Sequence, residues 1–333
     1  MSDALLPCPT CGETVPADDA FCEACGAAMA QLTRPVAPSA SAAAPCATCG
    51  ASADQIDADG YCGACGTRRV GGPRDHLSAA LADVAAVTDR GRRQHRNEDA
   101  FALARQDGRG LLALVVCDGV SSSTQSDVAA QAAADAACRR LASVAADADA
   151  ATREAAVGDA VHDAQRAVLA VPAARGDMRS APACTFVGAL VGAGSLTIGW
   201  VGDSRAYWLA GRGAGAGTAA APLTVDHSWA AEQMAAGRPE AEVMTDPSAH
   251  AITRWLGADQ PGDPAPGVRT LPVAAPGRLL LCSDGLWNVA TDVEIAAAAA
   301  APDLAAAADA LVAMANAAGG PDNITVILCE VPL

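Results

Sequence analysis

Leu111-Leu112-Ala113-Leu114-Val115-Val116-Cys117 runs straight into Asp118-Gly119. A short apolar run bounded by a turn pair reads as a buried strand, and here the first polar group after it is an acid. The pattern recurs along the chain. Leu196-Thr197-Ile198-Gly199-Trp200-Val201-Gly202 ends in Asp203-Ser204, and Arg278-Leu279-Leu280-Leu281-Cys282-Ser283 ends in Asp284-Gly285. Gly319-Gly320-Pro321 leads through Asp322-Asn323 into Ile324-Thr325-Val326-Ile327-Leu328, and Asp99 closes Asn97-Glu98-Asp99 before another apolar stretch. Acids at several strand ends can gather at one rim of a sheet structure. Crowded carboxylates repel, and they stay ionised only with positive charge among them. Hard divalent cations, which prefer oxygen ligands, meet that need.

Outward from these runs, strands are expected over 82–88, 100–105, 111–117, 185–191, 195–201, 206–209, 277–282 and 324–331. Helices are expected over 126–145, 152–171, 228–236, 292–300 and 304–317. Strands in runs, with helices grouped in pairs, argue for an α+β layered domain rather than an alternating doubly wound sheet. About half of the 333 residues are apolar but only 3% are aromatic, so the core must be built from aliphatic side chains and alanine. All 22 cationic side chains are arginine, a bias of base composition rather than of function. The net charge of −16 argues against a general nucleic-acid or membrane-surface binder. Met1 to Pro7 has no basic region followed by a long apolar run, and the alanine-rich stretch 295–314 is interrupted by Pro302, Asp303 and Asp309. A cytoplasmic location is expected.

Eight of the thirteen cysteines form four Cys-x-x-Cys pairs near the N-terminus. Cys8/Cys11 with Cys22/Cys25, and Cys46/Cys49 with Cys62/Cys65, repeat one pattern: Cys-x-Thr-Cys-Gly, a polar insert, an aromatic (Phe21 or Tyr61), then Cys-x-Ala-Cys-Gly. Glycine after each pair permits a tight turn that points backbone amides at the thiolates. Four sulfurs per set match a closed tetrahedral zinc site, and metal binding would supply folding energy that so small a unit lacks. Redox-active pairs or disulfides are the alternative, but no thioredoxin-like strand–helix pattern surrounds them. The two units resemble the tandem zinc ribbons of bacterial signalling proteins. The expected division is 1–30 zinc ribbon 1, 31–45 linker, 46–70 zinc ribbon 2, 71–81 linker and 82–333 the large domain. The Ala/Pro/Ser-rich and Gly/Pro/Arg-rich linkers would let the ribbons move relative to the large domain. Cys117, Cys138, Cys184, Cys282 and Cys329 lie in apolar runs and read as core residues.

In the large domain, Gly91 to Asp99 followed by Ala100-Phe101, then Val116-Cys117-Asp118-Gly119, Val201-Gly202-Asp203-Ser204-Arg205, Cys282-Ser283-Asp284-Gly285 and Gly320-Pro321-Asp322-Asn323 resemble, in order, the motifs of the metal-dependent serine/threonine protein phosphatases of type 2C. The resemblance covers roughly the last three-quarters of the chain. It implies a four-layer α-β-β-α sandwich with a metal centre at one edge. It implies two or three Mn2+ or Mg2+ ions in that centre, besides the two structural Zn2+ ions of the ribbons. It implies hydrolysis of phosphoserine and phosphothreonine by a water held between two cations and attacking phosphorus in line. By resemblance, Asp118 bridges both metals, Asp284 and Asp322 complete the first site, and Glu98 and the Gly119 carbonyl belong to the second. Asp99 orients a water, and Asp203 binds a weaker third metal. Partners would be phosphoproteins, a protein kinase or its substrates among them, with neither membrane nor nucleic acid expected.

Two departures stand out. The arginine that grips phosphate in this family falls at Gln94, with Arg92, Arg93 and Arg96 around it. Arg93 and Arg96 are the candidates to take over the grip, the alternative being plain surface charge. After Asp118-Gly119, the usual histidine or Met-Gly-Gly is replaced by Val120-Ser121-Ser122-Ser123, so the proton donor to the leaving group is either one of those serines or a metal-held water. His227, in Asp226-His227-Ser228, fits a flap-positioning role better than acid catalysis, and 228–250 would form the flap beside the cleft. Two other functions stay open: a catalytically weakened phosphatase-fold binding module acting through its ribbons, and a phosphatase for small molecules or nucleotides.

Overall fold

A computed structural model describes the chain except for residues 1–4, 9, 17–18, 30, 37–44, 47–48, 57–60, 67–73, 106–110, 173–180, 193, 211–219 and 333. Residues 37–44 of the first expected linker and 71–73 of the second therefore lie outside the described residues. Elements are numbered in chain order. The N-terminal region contributes β1 (Leu5–Pro7), β2 (Thr14–Pro16) and β3 (Leu32–Thr33). The large domain then runs β4 (His76–Leu81), β5 (Val84–Asp89), β6 (Ala100–Arg105), β7 (Leu112–Cys117), α1 (Ser126–Ala142), α2 (Ala150–Leu169), β8 (Ala183–Cys184), β9 (Phe186–Gly192), β10 (Ser195–Val201) and β11 (Arg205–Ala210). It continues with β12 (Ala221–Pro222), α3 (Trp229–Ala235), α4 (Glu240–Val243), β13 (Leu256–Gly257), β14 (Gly267–Pro272), β15 (Gly277–Cys282), α5 (Asp284–Trp287), α6 (Asp292–Ala298), α7 (Leu304–Ala317) and β16 (Ile324–Val331).

Two six-stranded sheets, in the orders β14-β10-β9-β7-β6-β3 and β12-β11-β15-β16-β5-β4, pack face to face. Every neighbouring pair is antiparallel. Strand alternation explains why both faces read as apolar. On β7, Leu112, Leu114 and Val116 meet Leu279, Leu281 and Ile327 of the opposite sheet. Ala113, Val115 and Cys117 point the other way, into α1 and α2. On β15 and β16, Leu280, Val326 and Leu328 turn outward onto Ala307, Ala308, Leu311 and Ala315 of α7. Both faces of each sheet are thus covered, and the strands lose the polar alternation of a half-solvated sheet. Ala129, Ala130, Ala133, Ala134 and Ala137 of α1 are fully buried. Small side chains let that helix lie close to the sheet, which is how a core with few aromatics stays filled. The architecture is the expected α-β-β-α sandwich.

The differences from expectation are local. β4 pairs with β5 through Ala82-Asp83, with His76 opposite Asp89. It lacks β-branched residues, and its pairing, not its propensity, makes it a strand. β14 is a half-exposed edge strand bounded by Gly267 and Pro272. Residues 76–81, expected as linker, therefore belong to the second sheet.

The stretch expected as the first linker also contributes to the sandwich. Leu32 and Thr33 pair with Ala104 and Leu103 at the open edge of β6. Arg34 Nη1 donates to Asp135 Oδ2 on α1 at 2.6 Å. Val36 then exchanges both backbone hydrogen bonds with Ser78 on β4, at 2.7 and 3.0 Å. β3 lies at the edge of one sheet and β4 at the edge of the other, so residues 32–36 form a strap that stitches the two sheets along one side.

Candidate metal centres

Each cysteine set forms a compact tetrad. All four Sγ atoms of Cys8, Cys11, Cys22 and Cys25, and likewise of Cys46, Cys49, Cys62 and Cys65, lie within 4.8 Å of one another. The pairs Cys8–Cys25 and Cys49–Cys62 are 3.6 Å apart, and Cys11–Cys22 and Cys46–Cys65 are 3.7 Å apart. A tetrahedron with a metal–sulfur distance of about 2.3 Å has edges of about 3.8 Å, so the spacing suits zinc. It excludes disulfides, whose sulfurs lie about 2.05 Å apart. Gly12, Gly26, Gly50 and Gly66, one after each pair, hold φ between 70° and 76°, and each donates its amide within its knuckle, as Gly12 N–H does to Cys8 O at 2.8 Å. Against burial, which raises it, hydrogen bonds from the backbone of Cys11 and Thr10 bring the Cys8 thiol down to about 6. Cys11 moves the other way: against a backbone hydrogen bond from Glu13, which lowers it, contacts with the neighbouring thiols push it up to about 12, so a bound metal would be needed to hold all four as thiolates. Metal analysis of the purified chain is expected to find two zinc ions, and Cys62→Ser is expected to release one of them. A single zinc in the unmodified chain would contradict these sites.

The acids identified in the sequence converge at one end of the sandwich. Asp99 immediately precedes β6, Asp118 follows β7, Asp203 lies two residues past β10, Asp284 opens α5 after β15, and Asp322 lies just ahead of β16. Burial pushes the Asp118 carboxyl well above the usual range, and the charges of Asp99, Asp284, Asp203 and Asp322 push it further. Asp284 is raised to about 6 by burial and by Asp322, although its contact with the Asp118 carboxyl group works in the opposite direction. Asp203 rises to about 8 through burial, then Asp284 and Asp226. The ring is looser than the sulfur tetrads: among the described residues, only the cysteine sets bring all their ligand atoms within 4.8 Å. Glu98 and Gly119 are neighbours, since a Cβ on Gly119 would sit 2.6 Å from Glu98 O and 3.0 Å from Glu98 Cβ.

Asp99 shows most clearly that the site fits a cation. Its Oδ2 accepts from Ser283 Oγ at 2.8 Å and from Thr325 Oγ1 at 2.7 Å. Its Oδ1 is buried and without a hydrogen-bond partner. Burial raises the group to about 7 despite those two hydroxyls, with Asp284 and Asp322 adding to the rise. An orphaned carboxylate oxygen amid four other acids is an oxygen-donor set for hard divalent ions.

Several supporting residues were not singled out in the sequence. Ser283 and Thr325 anchor Asp99. Thr325 is in turn held by Thr88 Oγ1 at 2.6 Å, to which Asn97 Nδ2 donates at 2.9 Å. Thr185 Oγ1 accepts from Asp118 N–H at 3.2 Å. Arg205 forks onto Asp226 at 2.9 and 2.6 Å and stacks 3.5 Å over the Trp287 ring. Trp287 Nε1 donates to Asp203 O at 3.0 Å. Asn97, Ser283, Arg205 and Asp226 lie inside the quoted motif stretches, whereas Thr88, Thr185, Trp287 and Thr325 carry no signal in the sequence that marks them as supports.

Arg93 and Arg96, the candidates for the phosphate grip, are exposed on the loop between β5 and β6, as is Arg92. Gln94 turns its amide onto Asp322. Ser121 and Ser122 are exposed, while Ser123 Oγ donates to Val120 O at 2.7 Å. His227 Nδ1 accepts from Gly202 N–H at 3.2 Å, and its ring stacks on Trp200. Burial and the Arg254 charge lower it to about 4. As an acceptor the imidazole ties the start of the 228–250 segment to the turn that follows β10. Residues 228–250 form α3 and α4 around a small core of Ala230, Val243 and Ala249.

The comparisons agree with this layout. A family model described as Double zinc ribbon matches residues 8–66. The serine/threonine phosphatase stp of Listeria monocytogenes serotype 4b (strain F2365) is 29% identical over 246 residues, covering 73% of this chain and 93% of that protein. The crystal structure of the Mycobacterium tuberculosis serine/threonine phosphatase PstP/Ppp has a TM-score of 0.60 and 28% identity, covering 75% of this chain and 98% of that one. The catalytic domain of the phosphatase PstP in complex with two manganese ions has a TM-score of 0.57 and 29% identity, covering 74% and 97%. Among the described residues no helix is long and apolar enough to cross a membrane. With the model described as Protein phosphatase 2C spanning residues 88–322, which include every one of these acids, the chain belongs to the protein phosphatase 2C family.

Proposed function

We propose that the chain hydrolyses phosphoserine and phosphothreonine in proteins, with Mn2+ or Mg2+ held by the strand-end carboxylates. The observation that carries this reading is the convergence of Asp99, Asp284, Asp203 and Asp322 on Asp118, whose carboxyl feels all four charges. Asp118 would help hold both cations, Asp284 and Asp322 would complete the first site, and Glu98 with the Gly119 carbonyl would belong to the second. Asp203 would hold a weaker third. Bound there, the cations supply Lewis acidity that activates a water and neutralises phosphoryl charge. Asp99, fixed through Oδ2 by Ser283 and Thr325, keeps Oδ1 to orient the attacking water. The natural partners are phosphoproteins, a protein kinase or its substrates among them. A cytoplasmic setting suits thiolate tetrads that must stay reduced.

Phosphate release from a phosphothreonine peptide should require Mn2+ or Mg2+. Turnover that survives complete removal of the divalent ions would overturn the reading. Mn2+ binding without turnover would leave a phosphatase-fold binding module instead. Preference for nucleotides over peptides would move the substrate class. Arg93 and Arg96 are assigned to the substrate phosphate. Arg93→Ala or Arg96→Ala should raise KM several-fold with little change in kcat, the pattern of a contact made equally to substrate and transition state. The effect is limited because both side chains are exposed and screened. Unchanged KM in both variants would make them surface charge.

A further inference from the structure

Gln94 stands where the family's phosphate-gripping arginine is expected, and it does something else. Its Nε2 donates to Asp322 Oδ1 at 2.8 Å. The orientation of that amide is fixed by chemistry, because an ionised carboxylate can only accept. Asp322 Oδ1 also accepts from Asn323 N–H at 2.8 Å. One oxygen of Asp322 is thereby held twice, which fixes the carboxylate plane and leaves Oδ2 for another ligand.

The loop that carries Gln94 is wrapped around the same turn. Arg92 and Arg93 N–H donate to Gly320 O at 2.8 and 3.2 Å. Asn323 Nδ2 donates to Arg90 O and Arg96 O, both at 2.9 Å, and Asn323 Oδ1 accepts from Glu98 N–H at 2.7 Å. Arg90, paired with Asp75 at 3.2 Å, donates to Gln94 O. Gly91, at φ +74°, has no room for a side chain, since a Cβ there would lie 2.1 Å from Asp322 O. Backbone contacts on both sides therefore deliver Gln94 to Asp322.

We propose that Gln94 is a positioning residue for the divalent-metal centre, acting through Asp322, and that it does not grip the substrate phosphate. This rests on the assignment of Asp322 as a cation ligand made above. A guanidinium at this distance would pair with Asp322 and compete with the cation for its charge. A neutral amide orients the carboxylate and leaves that charge available. The phosphate then draws its cationic contacts from elsewhere on the loop, where Arg92, Arg93 and Arg96 are exposed. Outer hydrogen-bond partners of metal ligands typically contribute about 10–100-fold in metal affinity.

The test is calorimetric titration of the zinc-loaded full-length chain with Mn2+. The sulfur tetrads do not interfere, because soft thiolates holding zinc do not yield to a hard ion. Gln94→Ala should weaken Mn2+ binding about 10-fold or more, and Gln94→Met, which keeps the length and removes the donor, should do the same. At saturating Mn2+ both variants should keep the wild-type KM for a phosphothreonine peptide. In an Asp322→Asn background, Gln94→Ala should cause no further loss of affinity. Wild-type Mn2+ affinity in the Gln94 variants, a raised KM at saturating metal, or a full additional loss in the double variant would each overturn the inference. If Asp322→Asn itself leaves Mn2+ affinity unchanged, the assignment of Asp322 falls and the inference falls with it. If Asp322→Asn weakens binding and the Gln94 variants do not, only the role of Gln94 is lost.

Discussion

Asp118→Asn is expected to lower kcat by at least about 10²–10³-fold, since metal-centred charge stabilisation contributes several kcal/mol and each 1.36 kcal/mol is tenfold in rate. The fold should survive. The Asp118 backbone keeps its place whatever the side chain, because its N–H donates to Thr185 Oγ1 and its carbonyl accepts from Thr185 N–H at 2.8 Å. Metal-free stability should move the other way from activity. Burial and four neighbouring acids raise the Asp118 carboxyl, so its charge disfavours the metal-free fold at neutral pH, and an isosteric amide relieves that repulsion. The variant should therefore melt at or above the wild-type temperature without Mn2+ and gain less than wild type when Mn2+ is added. Thermal unfolding with and without Mn2+, beside a turnover assay, reads both effects. Near-normal turnover would misplace the centre, and a metal-free variant that melts well below wild type would mean that Asp118 is structural.

The sequence shows a site of this kind where residues of one type recur at one kind of position. Asp118, Asp203 and Asp284 were legible because each stops an apolar run, and a strand end is a point in space that several strands can share. The ribbons were legible because Cys-x-x-Cys spacing is local. Long-range partnerships leave no such trace. Gln94 and Asp322 are separated by 228 positions, and nothing in Arg93-Gln94-His95 announces an acceptor. Ser283 and Thr325 look like ordinary strand-end residues until the two sheets place both hydroxyls on Asp99. β14 was hidden by its composition, since an edge strand with one half-exposed face and Gly and Pro at its ends carries little apolar signal. β3 was hidden by its length: two residues have no period, and they become a strand only because β6 offers an open edge.

The strap built on β3 changes what a truncation should do. If the stretch between the ribbons were a passive tether, deleting residues 1–45 would leave the large domain as stable as deleting 1–30. The strap predicts a difference. Loss of residues 31–45 removes the Leu32 and Thr33 pairing on β6, the Val36–Ser78 hydrogen-bond pair and the Arg34–Asp135 contact. Each backbone hydrogen bond contributes about 1 kcal/mol net, the partly exposed ion pair adds little, and ordering the strap offsets part of the sum. A net loss of about 2–3 kcal/mol corresponds to roughly 5–10 °C in melting temperature for a domain of this size. The deletion also bares the edges of β6 and β4 on the same side of the sandwich, and unpaired edges template association. The 1–45 deletion should therefore melt lower than the 1–30 deletion and self-associate at concentrations where the longer chain does not. Both retain the Cys46/Cys49/Cys62/Cys65 tetrad, so each should still hold one zinc ion, which separates loss of the strap from loss of a ribbon. Adding the peptide 31–45 in trans should recover part of the melting temperature, because strand addition to an open edge needs no covalent link. Equal melting temperatures for the two deletions would return residues 31–45 to the role of a tether.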